Sequence, residues 1–196
     1  MKVGIIAVQG AVQEHVEMTN VAFQRLGIKG NAVRVRNRKD LDDIDCLIIP
    51  GGESTTISRL LKRLNLFDRI VELGQSGMPI MGTCAGCILL AQIGDDEVAR
   101  TDTSLLGLMQ MEVDRNAFGR QRESFEASIA IKGFNSPFPA VFIRAPAIKR
   151  VWGNCEILSE FQRIIIMARQ DNLLGLTFHP ELSGDTRIHE MLIKMI

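Results

Sequence analysis

The stretch Met78-Pro79-Ile80-Met81-Gly82-Thr83-Cys84-Ala85-Gly86-Cys87-Ile88-Leu89-Leu90-Ala91 passes from a short apolar segment, through a glycine-bounded turn, into a second apolar segment. Its pattern predicts a strand, a tight turn and a helix start, with Cys84 at the apex. A nucleophile belongs at such a position. The first turn of a helix presents unpaired N–H groups and partial positive charge, which favour thiolate over thiol and can hold a developing oxyanion. A second stretch matters nearly as much: Leu173-Leu174-Gly175-Leu176-Thr177-Phe178 reads as a strand, and His179-Pro180-Glu181 follows it directly. Cysteine, imidazole and carboxylate thus each stand just beyond a predicted strand.

Working outward, Val3 to Val8 is a continuous apolar run of the kind buried on both faces of a parallel sheet, ended by Gln9-Gly10. A helix is predicted over Val12 to Leu26, its apolar face marked by Val12, Val16, Thr19, Phe23 and Leu26, with Gly27 as its C-cap. Ala32 to Val35 and Cys46 to Ile49 read as the next strands, with a helical turn at Leu41 to Ile44 between them. Pro50-Gly51-Gly52-Glu53-Ser54-Thr55-Thr56 is a turn and helix-cap composition, with Ser54 or Thr55 as the expected cap of a helix through Ile57, Leu60, Leu61 and Leu64. This βαβα alternation implies a parallel sheet with helices on both faces. After Ile93, short strand candidates (Leu108 to Asp114, Phe125 to Ile131, Val141 to Arg144, Glu156 to Leu158, Arg163 to Arg169, then Leu173 to Phe178) predict an antiparallel extension of the sheet. Asp185 to Ile196 reads as a closing helix. No linker divides the chain, so residues 1–196 are expected to form a single domain.

Composition bounds the function. The 196 residues carry 23 basic and 23 acidic side chains, a formal net charge of zero, which points away from nucleic acid and from an anionic membrane surface. No apolar run reaches the ~18 residues of a membrane span. Four cysteines without a framework spacing, and an N-terminus too briefly apolar for a signal, suit a reducing cytoplasm.

Each signal has a plainer counterpart. Cys84 alone could be buried filler, and His179-Pro180-Glu181 alone a strand-exit turn. Cys84-x-x-Cys87 could be a redox pair or half a zinc site, although no second ligand pair accompanies it, and Cys87 is expected to pack as a small apolar residue. Gly51-Gly52-Glu53-Ser54 could be a turn alone, yet two glycines also let backbone N–H groups approach a ligand. Arg144 closes Val141-Phe142-Ile143 at a strand end, where its guanidinium suits an α-carboxylate. His15 and His189 lie on predicted helices and are expected to face solvent or a partner. In an open α/β sheet the crevice lies at the carboxyl ends of the strands, and Pro50 to Ser54, Gly82 to Gly86 and His179 to Glu181 all fall there.

These residues together resemble the class I, or triad, glutamine amidotransferases. Gln9-Gly10-Ala11 with Glu14-His15, Pro50 to Thr56, Arg115-Asn116-Ala117-Phe118-Gly119-Arg120-Gln121, Ser124-Phe125-Glu126, Val141-Phe142-Ile143-Arg144-Ala145-Pro146 and Phe178 to Leu182 are similar to the glutaminase subunits of pyridoxal 5'-phosphate synthase. The resemblance implies a flavodoxin-like fold, no cofactor and no metal, and hydrolysis of L-glutamine to glutamate and ammonia. It further implies that ammonia passes to a TIM-barrel synthase subunit that activates the glutaminase by docking near Gln9. By position it makes Cys84 the nucleophile, His179 the general base and acid, and Glu181 the orienting carboxylate. Gly52 and Ala85 become the oxyanion donors, and Gly52, Glu53, Ser54, Arg115, Ile143 and Arg144 the glutamine contacts. Cys87 stands where that family commonly has a larger apolar residue. Other readings remain: a different amidotransferase subunit, such as that of imidazole glycerol phosphate synthase, a thiol–disulfide oxidoreductase, or a non-catalytic binding module.

Overall fold

The computed structural model describes residues 1–115 and 124–196. The segment 116–121 singled out in the sequence, other than Arg115, lies outside the described residues. In chain order the elements are β1 (Lys2–Ile6), α1 (Val12–Leu26), β2 (Asn31–Val35), β3 (Cys46–Ile49), α2 (Ser54–Arg63), α3 (Phe67–Gln75), β4 (Ile80–Thr83), α4 (Ala85–Leu90), β5 (Ala91–Ile93) and α5 (Asp96–Arg100). There follow β6 (Met109–Asp114), β7 (Ser124–Ile129), β8 (Phe138–Ile143), β9 (Ala147–Val151), β10 (Glu156–Phe161), β11 (Ile164–Gln170), β12 (Leu173–Leu176) and α6 (Arg187–Ile193).

The main sheet runs β2-β1-β3-β4-β12-β11-β9-β6-β5, with β10 paired to β11. From β2 to β12 every pairing is parallel, and β12-β11-β9-β6 is the predicted antiparallel extension. The order 2-1-3-4 followed by one further parallel strand is that of a flavodoxin-like sheet. The parallel strands are covered on both sides, which their unbroken apolar runs require. Alternate residues feed two cores: Leu47, Ile49 and Ile80 meet α2, α3 and α4, whereas Cys46, Ile48 and Met81 meet α1, α6 and the β7–β8 hairpin.

The sequence expectations differ from the structure at particular points. Strand β1 stops at Ile6 rather than Val8, because the chain turns there to bring Gln9 against Glu53. Helix α2 ends at Arg63, close to the predicted Leu64, where Asn65 takes a left-handed φ of 55°, and the helix α3 that follows was not read in the sequence. Neither Ser54 nor Thr55 caps α2. Glu53 does, its carboxylate accepting from the backbone N–H groups of Thr55 and Thr56. Strands β7 and β8 leave the main sheet as a separate hairpin, while β9, unread in the sequence, takes a place in it. Helix α1 has the predicted bounds and its Gly27 C-cap, but its most buried positions are His15, Thr19, Ala22 and Phe23.

Helix α4 lies directly on β3 and β4 because two glycines permit it. A Cβ on Gly86 would sit 2.0 Å from the carbonyl oxygen of Ile49, and one on Gly82 would sit 2.4 Å from that of Gly86. Replacing a helical glycine by alanine ordinarily favours the helix by ~1 kcal/mol. Here the clash is with backbone and dominates. Gly86→Ala is therefore expected to destabilise by about 3 kcal/mol or more, lowering the melting temperature by about 6 to 12 °C in a chain of this size. A calorimetric melt that is unchanged or raised would contradict this packing.

Candidate active site

Strand β4 delivers the cysteine and strand β12 the histidine. The two strands pair in parallel with Thr83 opposite Leu176, and the N–H of Cys84 donates to the carbonyl of Leu176 at 2.7 Å. Their carboxyl ends therefore open at the same height of the sheet. Cys84 has φ 49° and ψ −104° and stands immediately before α4. A β-carbon-bearing residue held there is strained by ~1–3 kcal/mol, and such strand-to-helix elbows lift a nucleophile out of the sheet.

His179 is fixed from behind and from the side. The ring of Phe178 packs on those of Phe138 and Phe142, at 5.9 and 5.7 Å between centroids. The N–H of His179 donates to Val141 O at 2.8 Å, tying the exit of β12 to β8. That bond brings Ile143 and Arg144 to the rim. Nδ1 of His179 lies 2.7 Å from Oε1 of Glu181. On its other side the ring hydrogen-bonds Cys84. Burial works against the charged ring, yet the hydrogen bonds to Cys84 and Glu181 outweigh it and lift the His179 pKa to about 10. The imidazolium is thus the favoured form between the sulfur and the carboxylate. Gly51 leaves room for the pair: a Cβ there would meet His179 Cε1 at 2.6 Å and Cys84 Cβ at 3.2 Å.

In front of Cys84 and His179 lies a cleft of about 350 Å³ lined by Gln9, Gly52, Glu53, Ser54, Ala85, Arg115, Ile143 and Arg144, all of them singled out in the sequence. Glu181 lies behind His179, outside the cleft lining. Ile88 and Pro146, quoted in the sequence only as parts of longer stretches, also line it, as does Glu97, which the sequence reading did not single out. The guanidinium of Arg115 bonds Glu53 Oε1 at 3.0 Å and reaches the hydroxyls of Thr101 and Thr55 at 3.2 and 3.4 Å, while its backbone N–H donates to Asp95. Glu53 is held at about 2, burial opposing this and the bonds from Thr56 and Thr55 prevailing. Arg144, at φ 42°, is an exposed cation on a strained turn at the mouth of the cleft. The first loop grips the glycine loop twice: Glu53 N–H donates to Gln9 Oε1 at 2.9 Å, and Ala11 N–H to Gly51 O at 3.4 Å.

Two expectations are settled by burial. His15 and His189 do not face solvent: they are 0% and 1% exposed, packed against each other between α1 and α6. Cys87 is fully buried, its sulfur toward Gly175, and burial foremost, then the neighbouring Cys84 and Cys155, pushes its thiol well above the ordinary range. A resolving thiol needs the opposite. Cys87 packs as a small apolar residue.

Residues 5–196 match the SNO glutamine amidotransferase family. The pyridoxal 5'-phosphate synthase subunit PdxT of Archaeoglobus fulgidus is 52% identical over 195 residues, which span 100% of this chain and 98% of that protein. Its namesake from Methanocella arvoryzae is 50% identical over 196 residues, again covering 100% of this chain and 98% of the relative. A crystal structure of a glutamine amidotransferase, 39% identical, superposes with a TM-score of 0.87 over 98% of this chain and 97% of that one. Full-length likeness in both sequence and fold, around a cleft that holds cysteine, histidine and glutamate in contact, leaves one assignment: the chain belongs to the SNO glutamine amidotransferase family.

Proposed function

We propose that this protein is the glutaminase subunit of a pyridoxal 5'-phosphate synthase, hydrolysing L-glutamine to L-glutamate and ammonia and delivering the ammonia to a TIM-barrel synthase subunit, with residues 1–196 acting as one glutaminase domain. The observation that carries the reading is the contiguous array in which Cys84 and His179 line the cleft and Glu181 bonds the imidazole from behind. The synthase subunits PdxT to which the chain is similar support the choice of nitrogen acceptor over that of another amidotransferase. Four free cysteines are in keeping with a cytoplasmic setting, and among the described residues no helix is long and apolar enough to cross a membrane.

The chemistry follows from the geometry. The sulfur of Cys84, as thiolate beside the His179 imidazolium, adds to the side-chain carboxamide carbon of glutamine. Charge develops on the carboxamide oxygen and is met by the N–H groups of Ala85 and Gly52. Donors fixed before the reaction are worth about 10²–10³ in rate each. Collapse breaks the carbon–nitrogen bond, and His179 supplies the proton with which ammonia leaves. Water then cleaves the γ-glutamyl thioester with His179 as base, releasing glutamate and restoring the thiolate–imidazolium pair. Glu181 holds the ring in the tautomer that both half-reactions need. Arg144 suits the α-carboxylate of the substrate, and the Glu53–Arg115 pair, with Ser54 and Ile143, forms the remaining wall. Gln9 grips the loop that carries Gly52, so a partner docking on the first loop would act on the oxyanion donor directly.

Cys84→Ala is expected to abolish ammonia release, assayed with the synthase subunit present, while leaving the thermal melt in place. Steady turnover by that variant would refute the assignment. The raised His179 value also makes a stability statement. A charged ring favoured by folding contributes fully below its ordinary value of 6.5, and the contribution is lost as pH rises through about 10. The melting-temperature advantage of the wild type over His179→Gln should accordingly hold steady below about pH 6.5 and narrow toward pH 10; an advantage that widens with pH would exclude the ion pair.

A further inference from the structure

The chain contains three histidines, and all of them stand in one buried file behind the nucleophile. Passing inward from Cys84, the file runs His179, Glu181, His15, His189. Only the first two have a role in the chemistry above. Oε1 of Glu181 is taken by His179, at 2.7 Å. Its other oxygen, Oε2, is buried and has no well-aligned hydrogen bond among the described residues, but Nε2 of His15 lies 3.3 Å away. The same Nε2 is 3.2 Å from Oγ1 of Thr83, the residue before the nucleophile, and Nδ1 of His15 is 3.0 Å from Nε2 of His189.

Burial above all, with the neighbouring His189 and His179, pushes His15 well below the ordinary range, and burial takes His189 down to about 3. Each ring is therefore neutral and carries one N–H. Only two consistent tautomer pairs exist for a bond between His15 Nδ1 and His189 Nε2. In the first, His189 donates from Nε2, His15 accepts at Nδ1, and the His15 proton sits on Nε2, aligned on Thr83 Oγ1 at 3.2 Å with Glu181 Oε2 beside it at 3.3 Å. In the second, His15 donates from Nδ1. Its Nε2 could then accept from the Thr83 hydroxyl, but its lone pair would also stand 3.3 Å from a carboxylate oxygen, and the proton of His189 would sit on Nδ1, a buried atom without a partner among the described residues. The second arrangement combines a lone-pair repulsion with an orphaned buried donor, which costs ~1–3 kcal/mol by itself. The first leaves only an unfilled acceptor at His189 Nδ1.

We propose that His15 is a positioning residue for the amide hydrolysis: its Nε2–H, fixed in that tautomer by His189 of α6, serves Oε2 of Glu181 and so holds the carboxylate, and through it the His179 ring, in register with Cys84. The proposal rests on the reading of Cys84, His179 and Glu181 as the reacting triad. His15 does not line the cleft, so its effect falls on the chemical step and not on glutamine binding. A leucine would fill the same space and leave Oε2 without a donor. A glutamine would keep an N–H near the position of Nε2.

With the synthase subunit present, His15→Leu is expected to lower kcat about 10- to 100-fold, with KM for glutamine changed less than about threefold, and His15→Gln to recover kcat to within about threefold of wild type. A kcat for His15→Leu equal to wild type, or a KM effect as large as the kcat effect, would overturn the proposal. The tautomer is tested in the unmutated protein by ¹⁵N NMR of labelled histidine. Protonated Nε2 on both His15 and His189 supports the assignment, and a proton on Nδ1 of His15 overturns it even if the leucine variant fails to fold. Failure here is separable from failure of the triad itself. An inactive Cys84→Ala beside a fully active His15→Leu removes only the role of His15, whereas turnover by Cys84→Ala removes the reading beneath it.

Discussion

The site depends first on the parallel pairing of β4 with β12 in one register, Thr83 opposite Leu176. Neither strand carries a reactive group within its ladder. Each ends one step before the site, β4 at an elbow whose N–H closes onto Leu176 O, and β12 at the Thr177-Phe178 step that leads to His179. A slip of one residue would turn every side chain of β12 to the opposite face of the sheet and draw the imidazole away from the sulfur. The register is held by the cores on both sides, where Leu174 and Leu176 of β12 meet α1 and α6 and Leu173 meets the other layer. Reactive geometry is thus a consequence of packing over the length of two short strands.

Behind the sulfur the molecule tolerates an expensive arrangement. Glu181 and the rings of His179, His15 and His189 are all nearly buried, where an unpaired charge is strongly disfavoured. The arrangement is tenable because charge is kept local. One imidazolium stands between a carboxylate and a sulfur, and the two deeper rings are held neutral by burial. A neutral imidazole can still donate one N–H. In the proposed function that is the one contribution needed from His15, and it comes without adding a second positive charge that would compete with His179.

Much of this was legible in the amino-acid sequence, and the illegible parts share a cause. Cys84, His179 and Glu181 are marked by local signals: an apolar run, a glycine-bounded turn, a strand exit. The cleft residues on the glycine loop and at Ile143-Arg144 are marked in the same way. That Asp95, Thr101 and Thr55 seat Arg115 carries no local signal, because these contacts join positions 14 to 60 residues apart. Glu53 was read past as a cap because Ser and Thr beside it are the stronger cap formers, yet an exposed carboxylate with two N–H groups in reach takes the place. His15 shows the difficulty most clearly. It lies on an amphipathic helix whose apolar stripe was drawn through Val12, Val16 and Phe23, and a polar residue next to that stripe reads as its edge. Only the return of the chain 174 residues later, with His189 on α6, makes it the centre.

Under the proposed function the two halves of the site are tied down differently, and control of the reaction would follow from that difference. Sulfur, imidazole and carboxylate come from strand ends locked by core packing, and they stand ready in the isolated chain. The other half, the glycine loop with its proposed oxyanion donor, is fastened to the first loop by two hydrogen bonds from Glu53 and Ala11, the latter long at 3.4 Å. Gly10, at φ 102°, allows the first loop its bend: a Cβ there would lie 1.8 Å from Gly51 O. A surface loop that reaches the oxyanion side but not the nucleophile side is the natural handle for a partner. Pressure on it can reorient a peptide between two glycines at small conformational cost, while leaving the nucleophile and its base untouched. Under the proposed function, such a division lets glutamine be spared until the ammonia acceptor has docked.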